Sequence, residues 1–99
     1  MVYWLDTTVL PPGDPVARRP VVVVAAPESV GGTVAVVSRS GTEGFGVGHP
    51  ADARLGFSGA GHFSRRHPVS GRLWTSLNVT PIGPLDAAVF AEVVGRFGP

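Results

Sequence analysis

Two histidines flank a pair of arginines near the middle of the chain: His62, Arg65, Arg66 and His67. An imidazole exchanges its proton near neutral pH, so two such side chains suit the base and the acid of an RNA transesterification. Guanidinium groups beside them bind phosphate oxygens well. The same composition is also typical of a solvated loop, so the sequence leaves both interpretations open.

The third histidine, His49, comes before this group in the chain, and the residues next to it indicate no function for it. The spacing of the three histidines matches no common metal-ligand pattern, and the chain has no cysteine. The glycine-rich run from Gly44 to Gly48 has the spacing of a nucleotide-binding loop, but no helix signal follows it. The sequence therefore predicts neither a metal site nor a cofactor.

Length and composition limit the classes of protein to which the chain could belong. Ninety-nine residues predict one domain, residues 1–99, with a thin core. The net charge of +1 predicts no strong overall attraction to nucleic acid. All eight cations are arginines, a bias typical of a GC-rich genome, so only their placement in pairs is informative. No apolar run approaches the ~20 residues of a membrane span and no leader is evident, which predicts a cytoplasmic protein.

The elements that would position these side chains are mostly strands. The long segment Gly41–Gly71 has only short apolar patches and is interpreted either as short strands with wide loops or as a mobile flap. Since a structureless loop of that length is uncommon in a compact domain, some strand is expected in it. The clearest signals are four strands and one helix: Val2–Leu5, Val21–Val24, Thr33–Val37, Leu73–Ile82 and, as the helix, Pro84–Phe97.

These elements predict a mainly β fold, a small antiparallel SH3-like barrel with a C-terminal α-helix. The valine runs Val21–Val24 and Thr33–Val37 are expected to form a hairpin. Five aromatic residues could stack on unpaired RNA bases, although a place in the core is the more common role of such side chains. They are Trp4, Phe45, Phe57, Phe63 and Trp74.

Four features together resemble the MazF/PemK family of toxin–antitoxin ribonucleases. They are the aromatic strand at Val2–Leu5, the turn with Gly13 and Asp14 that leads to Arg18-Arg19-Pro20 and the valine run, the strand Thr33–Val37 ending in hydroxyl residues, and Ile82-Gly83-Pro84-Leu85 before the last helix. The resemblance covers residues 1–40 and 73–97. It implies a metal-independent endoribonuclease that cuts single-stranded RNA by attack of the ribose 2′-OH.

The resemblance also implies a set of catalytic residues. Arg19, the arginine before the proline, would lie at the cleaving centre, where its planar fork can hold two phosphate oxygens. Asp14 stands where the family often has a carboxylate, and it would hold the guanidinium or accept a proton. Ser38 and Ser40 are both candidates for the hydroxyl that ends the third strand. The residues expected to bind RNA are Arg18, Arg39, His62, Arg65, Arg66 and His67.

The implied partners are single-stranded RNA, a cognate antitoxin protein and a second copy of the chain. Two alternatives keep the same scaffold. One is a protein-binding barrel without chemistry, or a gyrase-poison-like toxin of the same superfamily. The other is a barrel that binds nucleic acid without cleaving it, which the low net charge disfavours.

Overall fold

The computed structural model describes residues 1–6, 18–27, 31–42 and 44–98. They form six strands, one short 3-10 helix over Ala53–Leu55 and one α-helix. The strands are β1 (Val2–Asp6), β2 (Arg18–Ala25), β3 (Thr33–Ser40), β4 (Val47–His49), β5 (Gly61–Ser70) and β6 (Val79–Gly83), and the helix is α1 (Ala87–Phe97).

All six strands belong to one antiparallel sheet with the order β4-β5-β3-β2-β1-β6. The prediction of a mainly β fold with a C-terminal helix is confirmed, and so is the hairpin of β2 and β3. Among the described residues, β4 and β6 are the edges of the sheet and do not pair with each other. The sheet is therefore open, and closure into an SH3-like barrel is not confirmed.

Helix α1 covers one side of the sheet, which we call the helix face. Asp86 caps the helix, because its carboxylate accepts hydrogen bonds from the backbone N–H groups of Ala88 and Val89. Val93 is fully buried against the sheet, where it meets Val37 and Phe63. The predicted helix over Pro84–Phe97 thus begins later than expected, at Ala87.

The other side of the sheet, which we call the far face, carries a second apolar cluster. Leu5, Val21, Val36, Val69 and Val79 are buried there with Val34. Trp74 packs against this cluster from the segment before β6. Because β-strand side chains alternate between the two faces, every strand that contributes to both clusters must be apolar on both sides. This explains the continuous valine runs of the sequence.

Two expectations about the elements are resolved by the structure. Strand does occur in Gly41–Gly71, since this segment contains β4 and the whole of the ten-residue β5. The predicted strand over Leu73–Ile82 is wrong in its first part, because β6 begins only at Val79. Residues 71–78 form turns instead, held by the backbone hydrogen bond from Asn78 to Thr75 and by the Asn78 side chain on the Leu73 carbonyl. An alternation of apolar residues cannot reveal such local side-chain bonds.

Candidate functional site

The polar end of β3 positions the first candidates. Val34 and Val36 point to the far face, so the alternation of the strand sends Ser38 and Ser40 to that face too. Arg39 lies between them and points to the helix face. Both serines are buried, with Ser38 only 4% exposed. A buried hydroxyl needs hydrogen-bond partners, and those of Ser38 come from β5.

Ser38 and His67 form the central pair of the site. The Oγ atom of Ser38 lies 3.3 Å from Nε2 of His67. The Ser38 hydroxyl also donates to the backbone carbonyl of Arg65 at 3.5 Å. When the hydroxyl hydrogen is used in this way, the oxygen accepts from an Nε2–H of His67. Ser38 can thus hold the imidazole in one orientation and in one tautomer.

A bulge in β5 brings these side chains to the far face. Arg39 is opposite Phe63 in the sheet, but Ser38 is opposite Arg65, so Ser64 is one extra residue in the register of β5 against β3. One extra residue reverses the facing of every later side chain of the strand. Phe63 therefore enters the core of the helix face, while Arg65 and His67 turn to the far face.

Arg19 belongs to the same face. In β2 it pairs with Leu5 of β1, whose side chain is in the far-face cluster. Val21 is opposite Ser38, and continuing this antiparallel register by two residues places Arg19 toward Ser40. His62 is the residue of β5 opposite Ser40. Six of the predicted residues are thus collected at one end of the far face: Arg19, Ser38, Ser40, His62, Arg65 and His67.

The remaining predicted residues are not part of this group. Arg18 pairs with Asp6 and lies over the ring of Trp4, with its Cζ 4.7 Å from the ring centroid. Arg66 is opposite Val37 and is exposed on the helix face. Arg39 is buried on the helix face, only 7% exposed. Asp14 lies outside the described residues, so the structure does not place it.

Aromatic side chains stand on both sides of the Ser38–His67 pair. Phe45 is half exposed, with the Arg65 guanidinium 5.8 Å from its ring centroid. On the other side, the rings of Tyr3 and Trp74 meet edge to face, with centroids 5.2 Å apart. Of the other predicted stacking residues, Phe57 and Phe63 are buried in the core. Trp4 packs edge to face on Phe57.

A second polar cluster, absent from the sequence-based prediction, is buried on the helix face. Arg39 donates from Nε to Nδ1 of His49 at 2.9 Å and lies 4.2 Å from the ring centroid of Phe57. Its other donors reach the carbonyls of His49 and Gly59. Burial, and then the charge of Arg39, lowers the pKa of His49, although Asp52 partly opposes this. Because the polar atoms of Arg39 already have hydrogen-bond partners within the fold, we assign this cluster a structural role.

The described part of the chain contains no group of three or more His, Cys, Asp or Glu side chains that could hold a metal ion. Within that part, no helix is long and apolar enough to cross a membrane. Comparison of the chain with protein-family models, with curated proteins and with solved structures gives no match.

Proposed function

We propose that this chain is a metal-independent endoribonuclease of the MazF/PemK toxin type that cleaves single-stranded RNA at the far face. The observation that carries the proposal is the 3.3 Å contact between Ser38 and His67 on a face that also carries Arg19 and Arg65. This combination unites a titratable group, a hydroxyl that orients it and two permanent cations. Attack of a ribose 2′-OH on phosphorus needs a base for its proton, a cation that stabilises the phosphorane and an acid for the departing 5′-oxygen, and it needs no metal.

The reaction assigns one role to each group. The neutral imidazole of His67 takes the proton of the ribose 2′-OH, and the 2′-oxygen attacks phosphorus. The bond from phosphorus to the 5′-oxygen then breaks, which leaves a 2′,3′-cyclic phosphate. His62, in its protonated form, gives its proton to the departing 5′-oxygen. Arg19 and Arg65 stabilise the charge of the pentavalent phosphorane, which guanidinium forks bind at two oxygens.

The register of β3 supports this division between the two histidines. His67 is opposite Val36 and His62 is opposite Ser40, so Ser38 lies midway between them along the strand. Each of these steps of two residues is roughly 7 Å. A phosphate above Ser38 therefore has one imidazole on each side, which is the arrangement that attack from one side and departure to the other require.

The proposed partners are an antitoxin protein, which would bind the same face, and a second copy of the chain. An antitoxin segment that lies on the far face would exclude RNA from Arg19 and Arg65. A thin core and the two edge strands β4 and β6 favour a homodimer. An SH3-like barrel scaffold and a cytoplasmic location complete the proposal.

The test is cleavage of a labelled single-stranded RNA by the purified chain in excess chelator. We expect strand scission, a 2′,3′-cyclic phosphate end, and no scission when the nucleotide that attacks is 2′-deoxy. His67→Ala should abolish cleavage. Ser38→Ala should reduce it less and shift its pH profile, because this serine positions the imidazole. A folded wild-type chain that leaves every RNA intact would contradict the proposal.

A further inference from the structure

Phe45 is an exposed aromatic side chain beside the polar residues of β5. It is 50% exposed, although it is large and apolar. The guanidinium of Arg65 lies over its ring, with Cζ 5.8 Å from the ring centroid. Single exposed apolar residues are common on protein surfaces. An exposed ring with an adjoining guanidinium, in contrast, is a combination with which proteins bind unpaired nucleotides.

The bulge of β5 determines where this ring lies. Gly46, the residue after Phe45, has a φ of +99°, and a Cβ atom there would collide with the carbonyl oxygen of Phe63 and lie 2.8 Å from Cα of Ser64. Only glycine fits at this position, because both the backbone angle and the close approach exclude a side chain. The backbone of Gly46 therefore rests against the extra residue of β5, and this contact places Phe45 next to Arg65.

Phe45, Arg65 and His67 form one stretch of accessible surface, which we call the Phe45 patch. Arg65 contacts the ring through its guanidinium, and His67 follows two residues later on the same face of β5. Two residues of a strand span roughly 7 Å. None of the three side chains is buried. A ligand can therefore contact the ring, the guanidinium and the imidazole together without entering the core.

The chemistry of the Phe45 patch favours a nucleotide over an apolar partner. An apolar group that covered the ring would also remove water from the guanidinium beside it, which costs free energy. A nucleotide carries a flat ring system and a phosphate, so it satisfies both groups. The four carboxylates that the structure describes belong to β1, to the segment after β4, and to α1 with its cap. They are Asp6, Asp52, Asp86 and Glu92.

Building on the proposed function, we propose that the Phe45 patch holds one of the two nucleotides that flank the cleaved bond, with its base stacked on Phe45 and the cleaved phosphate on Arg65. Every base has a flat π surface, so this site requires a base but selects weakly among the four. Phe45 does not touch the bond that breaks. It acts by binding, so its loss should raise KM more than it lowers kcat.

The first experiment measures the affinity of a 2′-fluoro single-stranded RNA, which has no attacking hydroxyl, by fluorescence anisotropy. Phe45→Ala should weaken binding roughly 5- to 150-fold, which is the usual effect of removing one base–aromatic stack. Phe45→Leu keeps an apolar side chain without a π surface and should lose most of the same affinity, whereas Phe45→Tyr should bind like the wild type. Leu77→Ala is the matched control, because Leu77 is an exposed apolar residue outside the patch.

The second experiment places a single abasic nucleotide at each position, in turn, of an RNA whose cleavage site has been mapped. We expect one flanking position at which the missing base lowers kcat/KM by a factor similar to that of Phe45→Ala. In Phe45→Ala the same abasic nucleotide should cost little, because the stack is already absent. Exchange of one base for another at this position should also cost little. An abasic effect of equal size in both proteins would show that the base binds elsewhere.

The two experiments separate this inference from the proposed function. Weaker binding of the 2′-fluoro strand by Phe45→Ala, without cleavage of any RNA by the wild type, would refute the ribonuclease and keep the base site. Cleavage by Phe45→Ala with the kcat/KM of the wild type would refute the base site and keep the ribonuclease. An antitoxin peptide that needs Phe45, with RNA affinity unchanged in Phe45→Ala, would also overturn the inference. If Phe45→Ala is less stable to urea than the wild type, Phe45→Leu and Phe45→Tyr decide.

Discussion

Arg39 donates its Nε–H to Nδ1 of His49 across 2.9 Å in the buried core of the helix face. This bond fixes the tautomer of His49, because a ring nitrogen that accepts a hydrogen bond carries no proton. The proton is then on Nε2, which lies 3.7 Å from the Asp52 carboxylate. Three elements are joined in this way, β3, β4 and the segment that carries Asp52.

Replacing Arg39 by methionine should destabilise the protein. The Arg39→Met variant keeps an apolar stem but loses the bonds to His49 and to the Gly59 carbonyl, which leaves buried acceptors without donors. We expect the free energy of unfolding to fall by about 3 kcal/mol, measured by urea titration. Arg66→Met, on the exposed part of the neighbouring strand, is the matched control and should change it by less than about 0.5 kcal/mol.

Acid should weaken the fold through His49. Burial and the charge of Arg39 hold the pKa of His49 below the ordinary value of 6.5, so between the lowered pKa and pH 6.5 the unfolded chain binds a proton that the folded chain does not. The contribution of neutral His49 to the free energy of unfolding is complete above about pH 6.5 and is lost as the pH falls through the lowered pKa. The free energy of unfolding then falls by at most about 1.4 kcal/mol per pH unit.

The measurement is the free energy of unfolding from about pH 8 to about pH 5, in wild type and in His49→Gln. The glutamine variant should lack this part of the slope. Protonation of Asp52 does not contribute to this slope, because the pKa of its carboxyl lies below the ordinary value of 3.8 and therefore outside the measured pH range. Identical slopes in the two proteins would show that His49 takes up its proton equally in both states.

Arg19 should be needed for cleavage as a bidentate cation. Loss of a donor aimed at the phosphorane typically costs about 10²- to 10³-fold in rate, so Arg19→Ala should lower kcat by that factor. Arg19→Lys should restore little, because an ammonium cannot hold two oxygens in one plane. Arg18→Ala on the helix face is the control for charge. Full activity of Arg19→Ala, with its circular dichroism unchanged, would remove this residue from the mechanism.

Two adjacent arginines of β5 should differ sharply in how much they contribute to RNA binding. Arg65 is opposite Ser38 on the far face, whereas Arg66 is opposite Val37 on the helix face. Arg65→Ala is expected to raise the KM for RNA and to lower the dependence of binding on salt, and Arg66→Ala should do neither. Equal effects of the two changes would mean that RNA binding depends on overall charge and not on the far face.

The extra residue in β5 should be essential for both the core and the site. Deleting Ser64 forces the sheet either to withdraw Phe63 from the helix-face core or to turn Val69 out of the far-face core. The cost should be about 3 kcal/mol or more, with loss of cleavage. Ser64→Ala keeps the bulge and is the control, expected to cost about 1 kcal/mol. A deletion variant as stable as the wild type would show that β5 tolerates either register.

The sequence by itself determined the class of the fold and the position of most elements. Valine runs and turn residues specified the hairpin of β2 and β3, because strand periodicity and turn chemistry are local properties. The helix was recognisable for the same reason. In contrast, the turns of residues 71–78 depend on a side-chain bond from Asn78 to Leu73, which alternation of apolar residues cannot reveal.

The composition of the candidate site was visible in the sequence, but its assembly was decided by the tertiary structure. Arg19, Ser38 and His67 are distant in the chain and meet because β2, β3 and β5 are neighbours in the sheet. The face of the sheet to which Arg65 and Arg66 point was decided by one extra residue in β5, Ser64. Facing is a property of register, and register is set by how the whole strand buries its apolar side chains against both cores.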